Sequence, residues 1–196
     1  LVYGNDGTKY VEYQKAAPNI GFEDIHKDYL EADYFKICPM NYEVELDLVK
    51  KLYERNKTVF VDLGGYGGAT SDIRHSVEET YGRMVIDTLC KNSTIIKASE
   101  EDLQSIIPGR PAEEAVRYLA DAGASNVVVT LGGNGVMFKE GKKEIFHIKP
   151  FSAKSEVEDG SLDFTGAGDS FGAGFMASYV KEQDMYKAAL NGNATA

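Results

Sequence analysis

The sequence predicts an α/β protein built on a doubly wound, mostly parallel sheet flanked by helices. Three observations predict it. Short β-branched or apolar runs alternate along the chain with helical patterns of ten or more residues. The most apolar run, Asn126 to Leu131 (NVVVTL), does not alternate, as expected of a strand covered on both faces. Glycine-rich stretches follow strands or open a helix, which is where such folds hold ligands.

The elements follow in order. Lys9 to Gln14 alternates like a half-exposed antiparallel strand, which suits a small accessory sheet. Tyr34 to Met40 (YFKICPM) is a short apolar run, read as a strand that stops at Pro39. Glu43 to Asn56 carries Val44, Leu48 and Leu52 at helical spacing, with cations toward its C-terminus to suit the helix dipole. Thr58 to Leu63 (TVFVDL) reads as a strand that breaks into glycine. Ser76 to Asn92 reads as a helix and Thr94 to Ser99 (TIIKAS) as a strand. Glu100 to Ile107 opens with acids, as helix first turns prefer. Pro111 to Ala122 has Pro near its start and Gly123 just past its end. Val136 to Lys139 and Glu144 to Ile148 pair as a hairpin around Glu140-Gly141-Lys142. Phe164 to Gly168 is a loop, and Ala167 to Glu182 a helix with Phe171, Phe175 and Tyr179 on one face. A last helix covers Ala188 to Ala196.

Composition narrows the function. The 196 residues sum to a net charge of −10, which argues against nucleic acid or an anionic membrane as main partner. The two cysteines, Cys38 and Cys90, allow no disulfide framework or CxxC zinc pattern, so a reducing cytoplasm is expected. No apolar run reaches the ~18 residues of a membrane span. Glycine is the outlier: eleven of the 20 glycines fall into three clusters, at 64–68, 132–135 and 166–174.

The strongest motif is Asp163-Phe164-Thr165-Gly166-Ala167-Gly168-Asp169-Ser170-Phe171. Gly166, Ala167 and Gly168 can present successive backbone N–H groups at a helix N-terminus, an anion site that the dipole reinforces. Asp169 then stands in the first turn beside that hole. A carboxylate there can take a proton from a hydroxyl while the hole stabilises a transferring phosphoryl group. The plain alternative is a glycine-rich cap with a dipole-stabilising aspartate. Thr130-Leu131-Gly132-Gly133-Asn134-Gly135 runs from a strand into a tight turn whose amides could meet phosphate, or simply turn the chain. Ser99-Glu100-Glu101-Asp102 reads as a serine N-cap with an acidic first turn, a capping box in all but the last residue. Asp62-Leu63-Gly64-Gly65-Tyr66-Gly67-Gly68 reads as a loop shaped for close approach, to a substrate or to nothing in particular. His26, His75 and His147 have no metal-ligand spacing.

The run Asp163 to Phe175 (DFTGAGDSFGAGF) resembles the second signature of the PfkB, or ribokinase-like, carbohydrate kinases, departing from the family pattern at Phe164. The resemblance implies a ribokinase-like fold, Asp169 as catalytic base, and Gly166, Ala167 and Gly168 as anion hole. It places Thr130, Gly132 and Gly135 at the family's TxGxxG nucleotide loop. It places Ser99 and Asp102 at its NxxE motif, which organises nucleotide phosphate and Mg²⁺-bound water, with Glu101 as a rival to the shorter Asp102. Some sugar kinases of the family also carry Ser at the first place. Asp163 and Thr165 fall where relatives offer carbonyls to a monovalent cation, K⁺. Of the family's Asp-Pro-Asn-x-Arg stretch only Asp62 matches.

The resemblance therefore implies an ATP-dependent phosphotransferase acting on a hydroxyl of a small sugar or sugar derivative. A nucleoside kinase and a non-catalytic sugar- or nucleotide-binding homologue are the alternatives. A dinucleotide oxidoreductase would need GxGxxG after an early strand, which Gly132 to Gly135 is too short to supply. The expected organisation is a lid-strand segment at 1–17, a remnant of a small β lid through which a homodimer would form, and a ribokinase-like core at 18–196. The family's N-terminal glycines, its first signature and its final nucleotide-contacting portion have no counterpart, so the sequence is expected to be part of a longer kinase.

Overall fold

The computed structural model describes residues 2–3, 9–10, 13–71, 79–151 and 165–196. Its strands are β1 (Val2–Tyr3), β2 (Lys9–Tyr10), β3 (Tyr34–Ile37), β4 (Thr58–Asp62), β5 (Ile95–Ser99), β6 (Asn126–Thr130), β7 (Val136–Glu140) and β8 (Ile145–Ile148). Its α-helices are α1 (Leu46–Glu54), α2 (Glu79–Lys91), α3 (Glu100–Ile106), α4 (Ala112–Asp121), α5 (Ala167–Glu182) and α6 (Met185–Thr195).

Six strands form one sheet in the order β3-β4-β5-β6-β7-β8. The first four are parallel, and β7 and β8 close the far edge as an antiparallel hairpin. Parallel neighbours need crossover helices, and α1 to α4 supply them on one face. Val59, Val61, Ile96, Ala98, Val127 and Val129 point to that face and pack on Leu52, Leu89, Leu103 and Leu119. The alternate residues Phe60, Ile95, Val128 and Phe138 point the other way, onto Phe171 and Phe175 of α5 and Ala188 and Ala189 of α6. Two-residue periodicity in the strands thus divides the core into two layers. The pair β1–β2 is antiparallel and separate from this sheet.

Helix α5 runs against the direction of the parallel strands. Near its C-terminus Gln183 donates to the Tyr34 hydroxyl at the start of β3 (3.2 Å). Its N-terminus comes to the strands' carboxyl ends, beside Lys97. It lies close to its neighbours because two positions lack a side chain. A Cβ at Gly174 would overlap Thr195 of α6, and one at Gly192 would lie 3.0 Å from the Phe171 ring and carbonyl. The expected elements match within one to three residues at most ends. The segment before β3 also contains two short 3₁₀ turns, Phe22–Asp24 and Lys27–Glu31, that carry no periodic signal.

Candidate active site

Three strand ends and one helix start meet at a single edge of the sheet. Helix α5 begins there after Gly166, whose φ of 82° is left-handed and suits glycine. The first bond of the helix runs from the Ser170 N–H to the Gly166 carbonyl (2.8 Å). The amides of Ala167, Gly168 and Asp169 precede it and have no acceptor within the helix. Among the described residues, a Cβ at Gly166 would meet nothing within 4 Å. Asp169 stands exposed in the first turn. A positive helix end with amides free of helical acceptors is chemically able to hold an anion, and the Asp169 carboxylate stands in the same turn.

Beneath that turn lies a buried ion pair. Lys97 of β5 and Asp62 of β4 are register partners. Lys97 Nζ is 2.8 Å from Asp62 Oδ2, with the side chains only 6% and 14% exposed. The same Nζ lies 3.4 Å from where a Gly168 Cβ would stand. Burial pushes the Asp62 carboxyl up and would lower the lysine, but the Asp62 charge reverses the sign for Lys97, which ends above its ordinary value. A second lysine, Lys36 of β3, crosses to α5 one turn further on, where a Gly172 Cβ would be 2.7 Å from its Cε. Cys38, exposed just after β3, has its thiol pushed up to about 11 by desolvation and then by Asp62.

Ser99 and Thr130 are register partners at the ends of β5 and β6, both half-buried. Ser99 caps α3, its Oγ accepting from the Asp102 N–H (3.0 Å). Asp102 returns the bond, its Oδ2 accepting from the Ser99 N–H (2.7 Å), and its Oδ1 accepts from the Ala69 N–H (2.9 Å). Both carboxylate oxygens of this buried residue thus hold backbone. The capping box is complete with Asp in the place of Glu. Glu101 is exposed on the first turn of α3.

After Thr130 the chain turns through Gly132 and Gly135, with φ of 52° and 90°. The Gly135 N–H donates to the Gly132 carbonyl (3.0 Å), and the Leu131 N–H to the Gly135 carbonyl (2.8 Å). Among the described residues, Gly132 and Gly133 have nothing within 4 Å of a Cβ position, whereas a Cβ at Gly135 would overlap the Ile148 carbonyl. Gly135 therefore closes the turn against β8, and the two before it face open space. Loop 64–68 is the reverse. A Cβ on Gly65 would overlap the Pro39 carbonyl, and one on Gly68 would lie 2.6 Å from Asp102 Oδ1. The close approach read there from the sequence is to the protein itself.

The structure pairs Ser99 with Thr130 at neighbouring strand ends, ties Asp102 to Ser99 at the start of α3, and sets Gly168, at the start of α5, beside Lys97 of β5. Thr165 is exposed at the turn before α5; Asp163 and Phe164 lie outside the described residues. Lys97 was missed in the sequence. Its signal was a charge inside an apolar strand run, at an alternate position that faces α5.

Oxygen-rich Mg²⁺ sites use one or two carboxylates with phosphates and retained waters. Every oxygen of the Asp62 and Asp102 carboxylates already carries a donor, Asp62 from Lys97 and the Gly64 N–H and Asp102 from the Ser99 and Ala69 N–H groups, so this buried pair does not offer an ion a free ligand set. No group of three His, Cys, Asp or Glu among the described residues would hold a metal by itself.

The carboxyl ends of a parallel sheet are where α/β folds of this kind hold their ligands. The pfkB family carbohydrate kinase pattern matches residues 67–196, and the chain belongs to that family. Cytidine kinase of Thermococcus kodakarensis is 28% identical over 184 residues, which is 92% of this chain and 60% of that protein. ATP-dependent 6-phosphofructokinase of Thermoanaerobacterium thermosaccharolyticum is 32% identical over 107 residues, covering 55% of this chain and 31% of that protein. The chain therefore spans less than two thirds of the length of these relatives. Among solved structures, aminoimidazole riboside kinase from Salmonella enterica superposes with a TM-score of 0.72 at 17% identity, over 95% of this chain and 62% of that one.

Proposed function

We propose that the protein is an ATP-dependent kinase that phosphorylates a hydroxyl of a small sugar or sugar derivative. The observation that carries this reading is the start of α5: open amides at a positive helix end, with exposed Asp169 one turn inside. Asp169 accepts the proton of the acceptor hydroxyl. The hydroxyl oxygen forms a bond to the γ-phosphorus in line as the bond to the β,γ-bridging oxygen breaks, and ADP leaves. The amides of Ala167 and Gly168 take up charge on the transferring group, and Gly166 leaves that approach open. The turn at Thr130, Gly132 and Gly133 receives the nucleotide phosphates. Glu101, exposed on the first turn of α3 beside the occupied Asp102, would hold Mg²⁺ through water, and the ion, when bound, would neutralise phosphate charge. A monovalent cation on carbonyls of Asp163 and Thr165 belongs to the same proposal.

A second reading, a nucleoside as acceptor, is favoured by the match to the cytidine kinase over 92% of the chain. Phosphoryl transfer from ATP to a panel of ribose, fructose, fructose 6-phosphate, cytidine and adenosine tests both. The natural chain containing these residues should turn over one class of acceptor. ATP binding without transfer to any of them would sink the kinase reading and favour a binding homologue.

A further inference from the structure

We propose that Asp62 and Lys97 form an exchangeable pair, in which a phosphoryl anion at the start of α5 takes the Lys97 ammonium from Asp62 and Asp62 takes it back when the anion leaves. The inference rests on reading that helix start as a phosphoryl site. Lys97 is only 4% exposed, and its Nζ lies 2.8 Å from Asp62 Oδ2 and 3.4 Å from the Gly168 Cβ position, directly under the anion hole.

Three features favour exchange over a fixed structural bridge. A lysine ammonium carries three donors, and among the described residues Asp62 is the one acceptor within reach of this one. The other Asp62 oxygen, Oδ1, accepts from the Gly64 N–H (3.1 Å), so the carboxylate keeps a partner when the ammonium turns away. A buried ion pair is held against a desolvation cost that an apolar pair of similar volume would avoid. Its neighbours in the same layer, Phe60, Ile95 and Val128, are apolar. The charge thus stands among apolar side chains, beside the helix start where the anion would sit. Asp62 is thus a positioning residue that acts through Lys97 and keeps its grip on the anion reversible.

The two substitutions should move anion affinity in opposite directions, which a merely structural pair would not do. Inorganic tripolyphosphate, with no nucleotide or acceptor, is the probe, and calorimetric affinity and thermal stabilisation are the readouts on the natural full chain. K97M should weaken tripolyphosphate about tenfold or more, the worth of one hydrogen bond to a charged group. K97R should retain binding. D62N should tighten it several-fold and show a larger thermal stabilisation by the anion than the unsubstituted protein. Weakening by both K97M and D62N, or unchanged binding in K97M, overturns the proposal. Should D62N not fold, the ¹⁵N resonance of the Lys97 ammonium, assigned by its loss in K97R, is followed in the unsubstituted protein. It should shift on adding tripolyphosphate, and a resonance that stays in place overturns the exchange. Opposed affinities in a protein that phosphorylates no acceptor would keep this pair and discard the kinase reading. Turnover without opposed affinities would do the converse.

Discussion

Three glycine-rich loops at the same edge of the sheet use glycine for opposite ends. Loop 64–68 is filled by its own protein. Gly65 is seated on the Pro39 carbonyl, Gly68 on Asp102 and the Leu63 carbonyl, and Gly67, at φ 98°, lies 2.9 Å (Cβ position) from the Tyr42 hydroxyl. Tyr66 is buried and donates to the Val44 carbonyl (2.8 Å). At Gly132, Gly133 and Gly166 a Cβ would meet nothing within 4 Å among the described residues. All three loops look alike as strings of glycine. The difference is whether the missing side chain makes room for the fold or for something that enters it. Only open glycines mark where a ligand's phosphates can approach the backbone.

The largest effect belongs to the open side. Substituting Asp169→Asn removes the proton acceptor and keeps the shape of the first turn. Turnover with ATP and the accepted substrate should fall by about 10²- to 10⁴-fold, while nucleotide affinity by calorimetry stays within a factor of about two (far below the tenfold of 1.4 kcal/mol). Normal turnover would move the chemistry away from α5. On the packed side the strongest probe is Gly65→Ala. Its methyl group has nowhere to go, and stability in a denaturant titration should drop by about 1–3 kcal/mol, the usual cost of overpacking. If Gly65→Ala were as stable as the parent, loop 64–68 would be looser than the Pro39 contact implies.

Much of this was legible in the sequence, for a physical reason. Strand and helix periods are local, so Thr58–Asp62, Asn126–Thr130 and Ala167–Glu182 stand out before any contact is known. The GAGD run shows itself for the same reason, since a helix N-terminus is a local object. What a residue meets across the fold is not local. Loop 64–68 could not be read as packed, because Pro39 and Asp102 reach it from distant parts of the chain. Asp102 shows both sides. Its cap on Ser99 is three residues away and readable, while its second bond, to Ala69, spans 33 residues. The pairing of Lys97 was hidden in the same way. The charge inside TIIKAS is visible in the sequence, but its partner is not, because Asp62 arrives from the neighbouring strand.

A smaller effect sharpens the comparison on the open side. Gly133 has an ordinary backbone and empty surroundings. Gly133→Ala should therefore leave stability unchanged or raise it by up to about 1 kcal/mol, through the lost freedom of the unfolded chain. The methyl group would stand where nucleotide phosphate approaches the turn, so the KM for ATP should rise about 2- to 10-fold, the worth of one neutral hydrogen bond. This is the inverse of Gly65→Ala, which should act on stability first. An unchanged KM for ATP in Gly133→Ala would leave the open turn without a nucleotide to receive.

The smallest effect tests whether the packed loop is closed to ligands at all. Thr70 Oγ1 is buried and has no hydrogen-bond partner among the described residues, and it lies 3.3 Å from the Gly64 Cβ position, near Asp62 and Asp102. A buried hydroxyl left unpaired costs free energy that an isosteric methyl avoids. If the loop serves only the fold, Thr70→Val should raise stability by up to about 1 kcal/mol, seen as a higher denaturation midpoint with an unchanged slope. Turnover and the KM for ATP should not move. If activity falls while stability rises, the hydroxyl is kept for a water or ion shared with the phosphates. Loop 64–68 would then belong to the site as well as to the core, and the division between filled and open glycines would run through it rather than beside it.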